Sequence, residues 1–160
     1  MVYTGRDCTF RPQLNIICSN EHKRYSIMLG KQAKVLSDKQ ARSIVRYLKD
    51  ETRYGTRNHV IFLLSFRAGM RACEISKLTW DMVLDAGGSI QDHLEIRNCI
   101  AKQSSGRVVP IHPELASALH DLLATVNTTI FDRKATVIRT MRNGPMTAHS
   151  VVCWFKRLYS

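Results

Sequence analysis

Residues 68–80 read AGMRACEISKLTW, and the rest of the chain is organised around this stretch. A mostly apolar run, 60–66, leads into it, and Gly69 interrupts the apolar pattern. Arg71 follows directly after this interruption, and Glu74 comes three residues later. Apolar residues then recur at helical spacing. The pattern therefore predicts a helix that begins beside Arg71.

The spacing leaves two interpretations of Arg71 open. Backbone N–H groups at a helix start are unpaired and attract anions, and a guanidinium adds a two-pronged, permanently charged partner for phosphate. Alternatively, Arg71 forms an ordinary i,i+3 ion pair with Glu74 on a surface helix. The spacing alone does not decide between a phosphate clamp and a surface ion pair.

Two segments resemble motifs of one family. Residues 69–81, GMRACEISKLTWD, resemble the first-arginine box of the tyrosine recombinase (phage integrase) family, roughly G-hydrophobic-R-x-x-E-hydrophobic-x-x-L-x-W. Residues 101–111, AKQSSGRVVPI, resemble its lysine hairpin, roughly K-x-x-x-x-R-x-V-P-L. The two motifs occur in the right order, and the likeness runs from about Leu36 to the C-terminus.

The resemblance implies a reaction and a set of roles. In this family a tyrosine attacks a DNA phosphodiester, and the resulting phosphotyrosyl intermediate is resolved by the 5′-hydroxyl of a second strand. Arg71 matches the arginine that clamps the phosphate, and Lys102 matches the lysine that protonates the leaving oxygen. Glu74 matches the acidic residue that orients the active-site arginines. Arg107 is implied to contact the DNA backbone or to support the hairpin. The reaction requires no metal and no cofactor.

The family's second box, H-x-x-R, is not found in this sequence. None of the six histidines is followed at the third position by arginine, since the residues found there are Tyr25, Phe62, Ile96, Leu115, Leu123 and Val152. Tyr159 is the only tyrosine after the hairpin, and we predict that it is a packing residue rather than the nucleophile. We therefore expect an incomplete and inactive recombinase fragment that ends before this box.

Composition points to an anionic partner. The net charge is +11, the isoelectric point is about 9.8, and the hydrophobic content of 44% is ordinary for a globular protein. Such an excess of cations favours nucleic acid first and a membrane surface second. Double-stranded DNA is the expected partner, and the resemblance implies other recombinase protomers as further partners.

Cysteine usage and hydropathy indicate the compartment. The five cysteines form no Cys-x-x-Cys pair, so a zinc site has no support. We predict that Cys73 and Cys153 are small buried hydrophobes. The first twenty residues lack the apolar core of a signal peptide, and the run 60–66 is too short to cross a bilayer. The sequence therefore predicts a reduced, cytoplasmic protein with no membrane segment.

The remaining pattern predicts a mainly α fold with a small antiparallel β-sheet (α+β), which resembles the N-terminal part of the integrase-type catalytic domain. Ser37 to Gln40 match a capping box, Pro113 fits a first helical turn, and Thr147 fits an N-cap. His59 is expected at the flank of a core helix. The predicted helices are 37–50, 56–68, 71–80, 113–125 and 148–159, and the predicted strands are 94–100 and 108–111.

Residues 1–35 differ from the rest of the chain. Their periodicity is weak, and they carry six Lys or Arg against two Asp or Glu, or +4. The segment is too short for the separate N-terminal DNA-binding domain of the family. We interpret it as a leader or a remnant of that domain, followed by the partial catalytic domain 36–160. Lys31 and Lys34 lie in what looks like the interdomain linker, and we expect them to contact DNA.

Three functions stay open at this point. The first is a site-specific tyrosine recombinase fragment acting in DNA integration and recombination, as in a mobile element. The second is a non-catalytic DNA-binding remnant that competes for a recombinase site. The third is an unrelated basic nucleic-acid-binding protein. The missing H-x-x-R box separates the first two, and the distance from Arg71 to Lys102 tests the third.

Overall fold

Five α-helices, one short 3₁₀ helix and two β-strands make up the part of the chain that this computed structural model describes, residues 36–100, 106–126 and 132–160. The fold is mainly helical with a two-stranded antiparallel sheet, as predicted. In chain order the elements are α1 (Asp38–Glu51), α2 (Gly55–Phe66), α3 (Ala72–Lys77), the 3₁₀ helix (Trp80–Met82), β1 (His93–Ile96), β2 (Arg107–Pro110), α4 (Pro113–Ala124) and α5 (Ala148–Leu158).

Local sequence signals determine three helix starts. The Oγ of Ser37 accepts a hydrogen bond from the Gln40 backbone N–H (3.3 Å), and the Gln40 Oε1 accepts one from the Ser37 N–H (3.0 Å). This reciprocal pair is the predicted capping box of α1. Pro113 occupies the first position of α4, and the Thr147 Oγ1 accepts from the Ser150 N–H (3.2 Å) at the start of α5. All three predicted starts are confirmed.

Helix α2 lies in the core, as its apolar sequence predicts. Residues 60–64 are fully buried, and the helix packs against α1 and α4. The second of these neighbours contributes Leu115 and Leu119, which are also fully buried. Because both neighbours cover it, little of the helix faces water. The prediction that His59 lies at a helix flank is wrong, since its side chain is only 3% exposed.

The predicted helix 71–80 is divided into two pieces. Helix α3 ends at Lys77, three residues before the predicted end, and a separate 3₁₀ helix begins at Trp80. The Val137 N–H donates to the Leu78 carbonyl oxygen (2.8 Å), and the Trp80 N–H donates to the Ala135 carbonyl oxygen (3.2 Å). These bonds require extended backbone around residue 78, so the helix cannot continue through it. A partner this distant in the sequence leaves no local signal.

The two strands are antiparallel, and Ile96 lies opposite Arg107. The predicted strand 94–100 ends at Ile96 because the chain then turns. The Ile100 N–H donates to the Arg97 carbonyl oxygen (3.1 Å), which is a turn bond rather than a strand bond. The register places Arg107 at the end of the sheet where the hairpin loop joins β2.

Helix α5 packs on α3 with one side only. Val151 is fully buried, whereas the adjacent Val152 is 41% exposed. Successive helical residues lie about 100° apart, so two adjacent valines cannot both face α3. Phe155, one turn after Val151, is partly buried. Cys153 and Cys73 are only partly buried, rather than the small buried hydrophobes that the sequence predicts.

Several sequence-based predictions fall outside the described residues. These are the segment 1–35, the linker lysines Lys31 and Lys34, and the hairpin lysine Lys102. The distance from Arg71 to Lys102 is therefore also outside the description. Within the described ranges, no helix is long and apolar enough to cross a membrane, and no group of three or more His, Cys, Asp or Glu could hold a metal ion.

Candidate functional site

The connection between α2 and α3 positions Arg71. Gly69 adopts a positive φ of 61°, a conformation that glycine reaches without the steric cost of a Cβ. The following Met70 is buried, and its N–H bonds back to the Leu64 carbonyl oxygen (3.0 Å). The chain is thereby reversed, and Arg71 becomes the N-cap residue of α3 in extended conformation. The apolar run and the glycine therefore determine where the arginine stands.

Glu74 fills the start of α3. Its side chain is fully buried, and its Oε2 accepts from the Arg71 backbone N–H (2.8 Å). Its Oε1 accepts from the Nη1 of Arg71 (3.3 Å), which is the i,i+3 ion pair of the simpler interpretation. Because α3 has only six residues and a carboxylate already occupies its first turn, its backbone offers little to an anion. Anion binding here depends on the arginine side chain.

Arg107 joins the sheet to α3 through the same carboxylate. Its Nη1 donates to the Glu74 Oε1 (2.8 Å), and its Nη2 donates to the Oε2 (3.0 Å). Two parallel bonds of this kind are the strongest form of an arginine–carboxylate pair. Arg71, Glu74 and Arg107 therefore form one connected group, which we name the Glu74 cluster.

The Glu74 cluster carries one net positive charge, since two guanidiniums face one carboxylate. The hydrogen bonds from Arg107 lower the pKa of Glu74 from 4.5 to about 2, although burial acts in the opposite direction. The Arg71 N–H and the charges of both arginines contribute to the same lowering of the pKa. The same bond to Glu74 raises the pKa of Arg107. The carboxylate is consequently ionised across the whole physiological pH range.

The two arginines of the cluster differ in how much of each remains available. The Arg71 side chain is 58% exposed, and Nη1 is its only side-chain atom that bonds to a described residue. The Arg107 side chain is 34% exposed and directs its fork at Glu74. A guanidinium has five N–H donors, so Arg71 retains donors for an external anion. It is the anion-receptive group of the cluster.

Sequence reasoning identified Arg71 and Glu74 but missed the partner of Arg107. Thirty-three residues separate Arg107 from Glu74, so no helical or strand periodicity connects them. One signal was available in the sequence: Glu74 is flanked by predicted core residues, and a buried charge requires a counter-ion. Lys31, Lys34 and Lys102 could not be placed relative to the cluster, since they lie outside the described residues.

Two shallow depressions, of about 330 and 400 Å³, lie away from the Glu74 cluster. Both are lined by Gly88 and Leu123, and the first also by Arg133. The guanidinium of Arg133 donates to the carbonyl oxygens of Leu84 (3.2 Å) and Ala86 (3.3 Å). Arg133 therefore supports the turn at residues 85–88. Among the residues that the structure describes, neither depression is lined by a group of charged side chains like the Glu74 cluster.

Comparison with solved structures shows a shared fold. The crystal structure of XerA recombinase superposes with a TM-score of 0.60 at 19% identity, covering 87% of this chain and 44% of that one. A structure of the Tn1549 transposon integrase in complex with a circular intermediate DNA gives 0.54 at 24% identity, covering 82% and 46%. The chain thus spans less than half the length of these two proteins.

Comparison of the sequence with protein families identifies the family of this chain. No curated protein sequence matches the chain. The family model described as the phage integrase family, however, matches residues 34–160, a range that includes all three members of the Glu74 cluster. Since this match covers most of the sequence, the chain belongs to the phage integrase family.

Proposed function

We propose that the chain binds duplex DNA with the surface that carries Arg71, within a site-specific tyrosine recombinase acting in DNA integration and recombination. Three observations support the proposal. The chain belongs to the phage integrase family, its net charge is +11, and the Tn1549 integrase of similar fold was solved in complex with DNA. An excess of cations of this size supplies the sequence-independent part of DNA affinity.

The observation that carries the proposal is the state of Arg71. Its backbone N–H and one side-chain N–H are bonded to the buried Glu74, while its side chain is 58% exposed to water. A phosphate clamp needs a cation that is held in position yet has free donors. Arg71 meets both conditions. A surface arginine without an anchor would lose more conformational entropy on binding.

The proposed chemistry follows from this placement. Charge gathers on the non-bridging oxygens of a phosphodiester under attack, and Arg71 would stabilise that charge. We propose Lys102 as the acid that protonates the leaving oxygen. The support for Lys102 is its motif, in which it stands five residues before Arg107 in the sequence. Lys31 and Lys34 are proposed as further phosphate contacts on the basis of their charge.

The test is a titration of labelled duplex DNA at several salt concentrations. We expect roughly micromolar or weaker, sequence-tolerant binding that weakens steeply with salt. The slope of log K against log salt is negative. Arg71→Ala should make it shallower by about 0.9, the value for one phosphate contact. Arg67→Ala is the matched control, because its guanidinium already pairs with Glu114 (3.0 Å). Salt-independent binding, or equal effects of the two substitutions, would contradict the proposal.

A second candidate is a DNA-binding protein that occupies a recombinase site without cutting it. The observation that favours it is the contact of Tyr159, the only tyrosine after the hairpin in this sequence, with Phe155: the two rings stack with centroids 6.0 Å apart. Incubation with a nicked duplex that traps phosphotyrosyl adducts distinguishes the candidates. The binding protein leaves no adduct on a denaturing gel, whereas an adduct that Tyr159→Phe abolishes would identify a nucleophile in this chain.

A further inference from the structure

Arg107 and Arg71 share the carboxylate of Glu74 unequally. Arg107 reaches both oxygens at 2.8 and 3.0 Å, whereas the Arg71 side chain reaches one oxygen at 3.3 Å. The Arg71 backbone N–H supplies the fourth bond, at 2.8 Å. Four bonds fill the acceptor sites of a carboxylate. Arg107 thus provides the main counter-ion, and Arg71 is the lesser and more exposed partner.

Removal of the Arg107 side chain would change how Glu74 is paired. The fully buried Glu74 would keep its charge and lose its strongest partner. A buried, unpaired carboxylate is costly, so it would draw in the nearest cation. Arg71 is already in contact with it. Once its guanidinium turned its fork toward Glu74, the pair would be neutral and few donors would remain for an external phosphate.

We propose that Arg107 is a positioning residue: as the counter-ion of Glu74 it keeps the guanidinium of Arg71 free to bind phosphate, and it does not bind the phosphate itself. This inference rests on the proposed function, because it takes the ligand of Arg71 to be a phosphate group of DNA. The hairpin motif implied either a contact to the DNA backbone or support of the hairpin, and the role assigned here differs from both. Arg107 acts on the ligand only through a shared carboxylate.

A second substitution that restores DNA binding to Arg107→Ala would distinguish a positioning role of Arg107 from a direct phosphate contact. The quantity measured is the salt dependence of duplex DNA binding. Arg107→Ala should make the slope shallower by about 0.9, as Arg71→Ala does, because it removes the Arg71 contact indirectly. The double variant Arg107→Ala/Glu74→Gln should recover the wild-type slope, since a neutral amide does not compete for Arg71. Arg67→Ala remains the control. If Arg107 contacts phosphate directly, the double variant will stay as reduced as Arg107→Ala, and the inference is wrong.

A second readout needs no DNA. Phenylglyoxal modifies accessible arginines, and chymotryptic peptide mapping by mass spectrometry reports the modification at Arg71. We expect Arg71 to react several-fold more slowly in Arg107→Ala than in the wild type, and to regain its reactivity in the double variant. If the wild type fails to bind DNA while this pattern holds, the proposed function fails, and what stands is only that Arg107 keeps the Arg71 guanidinium accessible. If DNA binds but Arg71 reacts equally in all variants, the inference fails alone.

Folding is checked by urea unfolding of each variant before the other measurements. Should Arg107→Ala not fold, Arg107→Lys takes its place, because a lysine keeps the charge but cannot form the two-pronged bond. It should lower the reactivity of Arg71 in the same direction by a smaller factor. Reactivity equal to that of the wild type would then count against a positioning role.

Discussion

Glu74 in α3 and His59 in α2 are both titratable side chains that the fold removes from water, but their surroundings differ. Glu74 accepts four hydrogen bonds and faces two arginines at the edge of the domain. His59 lies among core side chains, and its Nε2 has no hydrogen-bond partner within the described ranges. Glu74 is kept charged by its partners, and His59 is kept neutral chiefly by its burial. Burial alone therefore does not identify a functional residue.

The pKa shifts express the same contrast. Partner bonds lower the pKa of the Glu74 carboxyl to about 2 and so favour its charged form. Burial lowers the pKa of His59 to about 4 and so favours its neutral form; Lys49 adds to this effect, and Glu114 and Asp121 oppose it. Both shifts go downward, but the cause in Glu74 is a specific pair of cations and in His59 a general exclusion of water. A partnered, charged group beside exposed arginines is the better candidate for function.

The largest expected effect comes from breaking the partnered group. Arg107→Ala removes the main counter-ion of a fully buried carboxylate, for which losses of 3–5 kcal/mol are typical. Since Arg71 remains as a partial substitute, we expect the free energy of unfolding at neutral pH to fall by about 3 kcal/mol. The measurement is urea denaturation followed by circular dichroism.

Arg97→Ala is the control for this substitution. Arg97 pairs with Asp81 at 2.7 Å, but both side chains are partly exposed. Pairs of this kind contribute about 0–1 kcal/mol. If the two substitutions cost the same, Glu74 does not depend on Arg107 as its contacts indicate, and the contrast with His59 loses its basis.

Local signals in the sequence predicted the helix starts and the contact between neighbouring residues, but not the contacts between distant segments. The helix starts at Ser37, Pro113 and Thr147 were predictable because caps act over three or four residues. The Arg71–Glu74 contact was predictable for the same reason. The bond from Arg107 and the interruption of the helix after Lys77 depend on segments distant in sequence. Periodicity reports which face is apolar, but not which segment covers it.

A second prediction uses acid to separate the two groups. The pKa of His59 is lower in the folded chain than its usual 6.5, so the unfolded chain binds more protons between these values. The part of the stability that depends on a neutral His59 is fully present above pH 6.5 and is lost as the pH falls toward 4. A difference of this size corresponds to about 3 kcal/mol. The contribution of Glu74 is lost in a lower window, as the pH falls from 4.5 toward 2.

Unfolding curves from pH 8 to about pH 2 should therefore show two successive losses of stability. His59→Leu should remove the upper loss and leave the lower one. His120→Gln, a substitution at an exposed histidine of α4, serves as the control and should leave the upper loss in place. An upper loss that persists in His59→Leu would mean that another group causes it.

The smallest expected effect, and the one that isolates the missing hydrogen bond, is that of His59→Leu at pH 7. Leucine is similar in size and has no polar atom to leave unpaired, so the penalty of about 1–3 kcal/mol for a buried unsatisfied group is relieved. Because repacking offsets part of this gain, we expect an increase of about 1 kcal/mol in the free energy of unfolding. Asn58→Leu is the matched comparison one residue earlier. Asn58 is also buried, but its Nδ2 donates to Thr52 (3.0 Å) and its Oδ1 accepts from Arg57 (2.9 Å).

The same substitution at Asn58 should therefore destabilise the chain, because it leaves those partners unpaired. Opposite signs at two adjacent buried positions would show that hydrogen bonding, rather than polarity, determines the stability of this core. A loss of stability in both variants would mean that the Nε2 of His59 has a partner, and His59 would then belong with Glu74 among the satisfied groups.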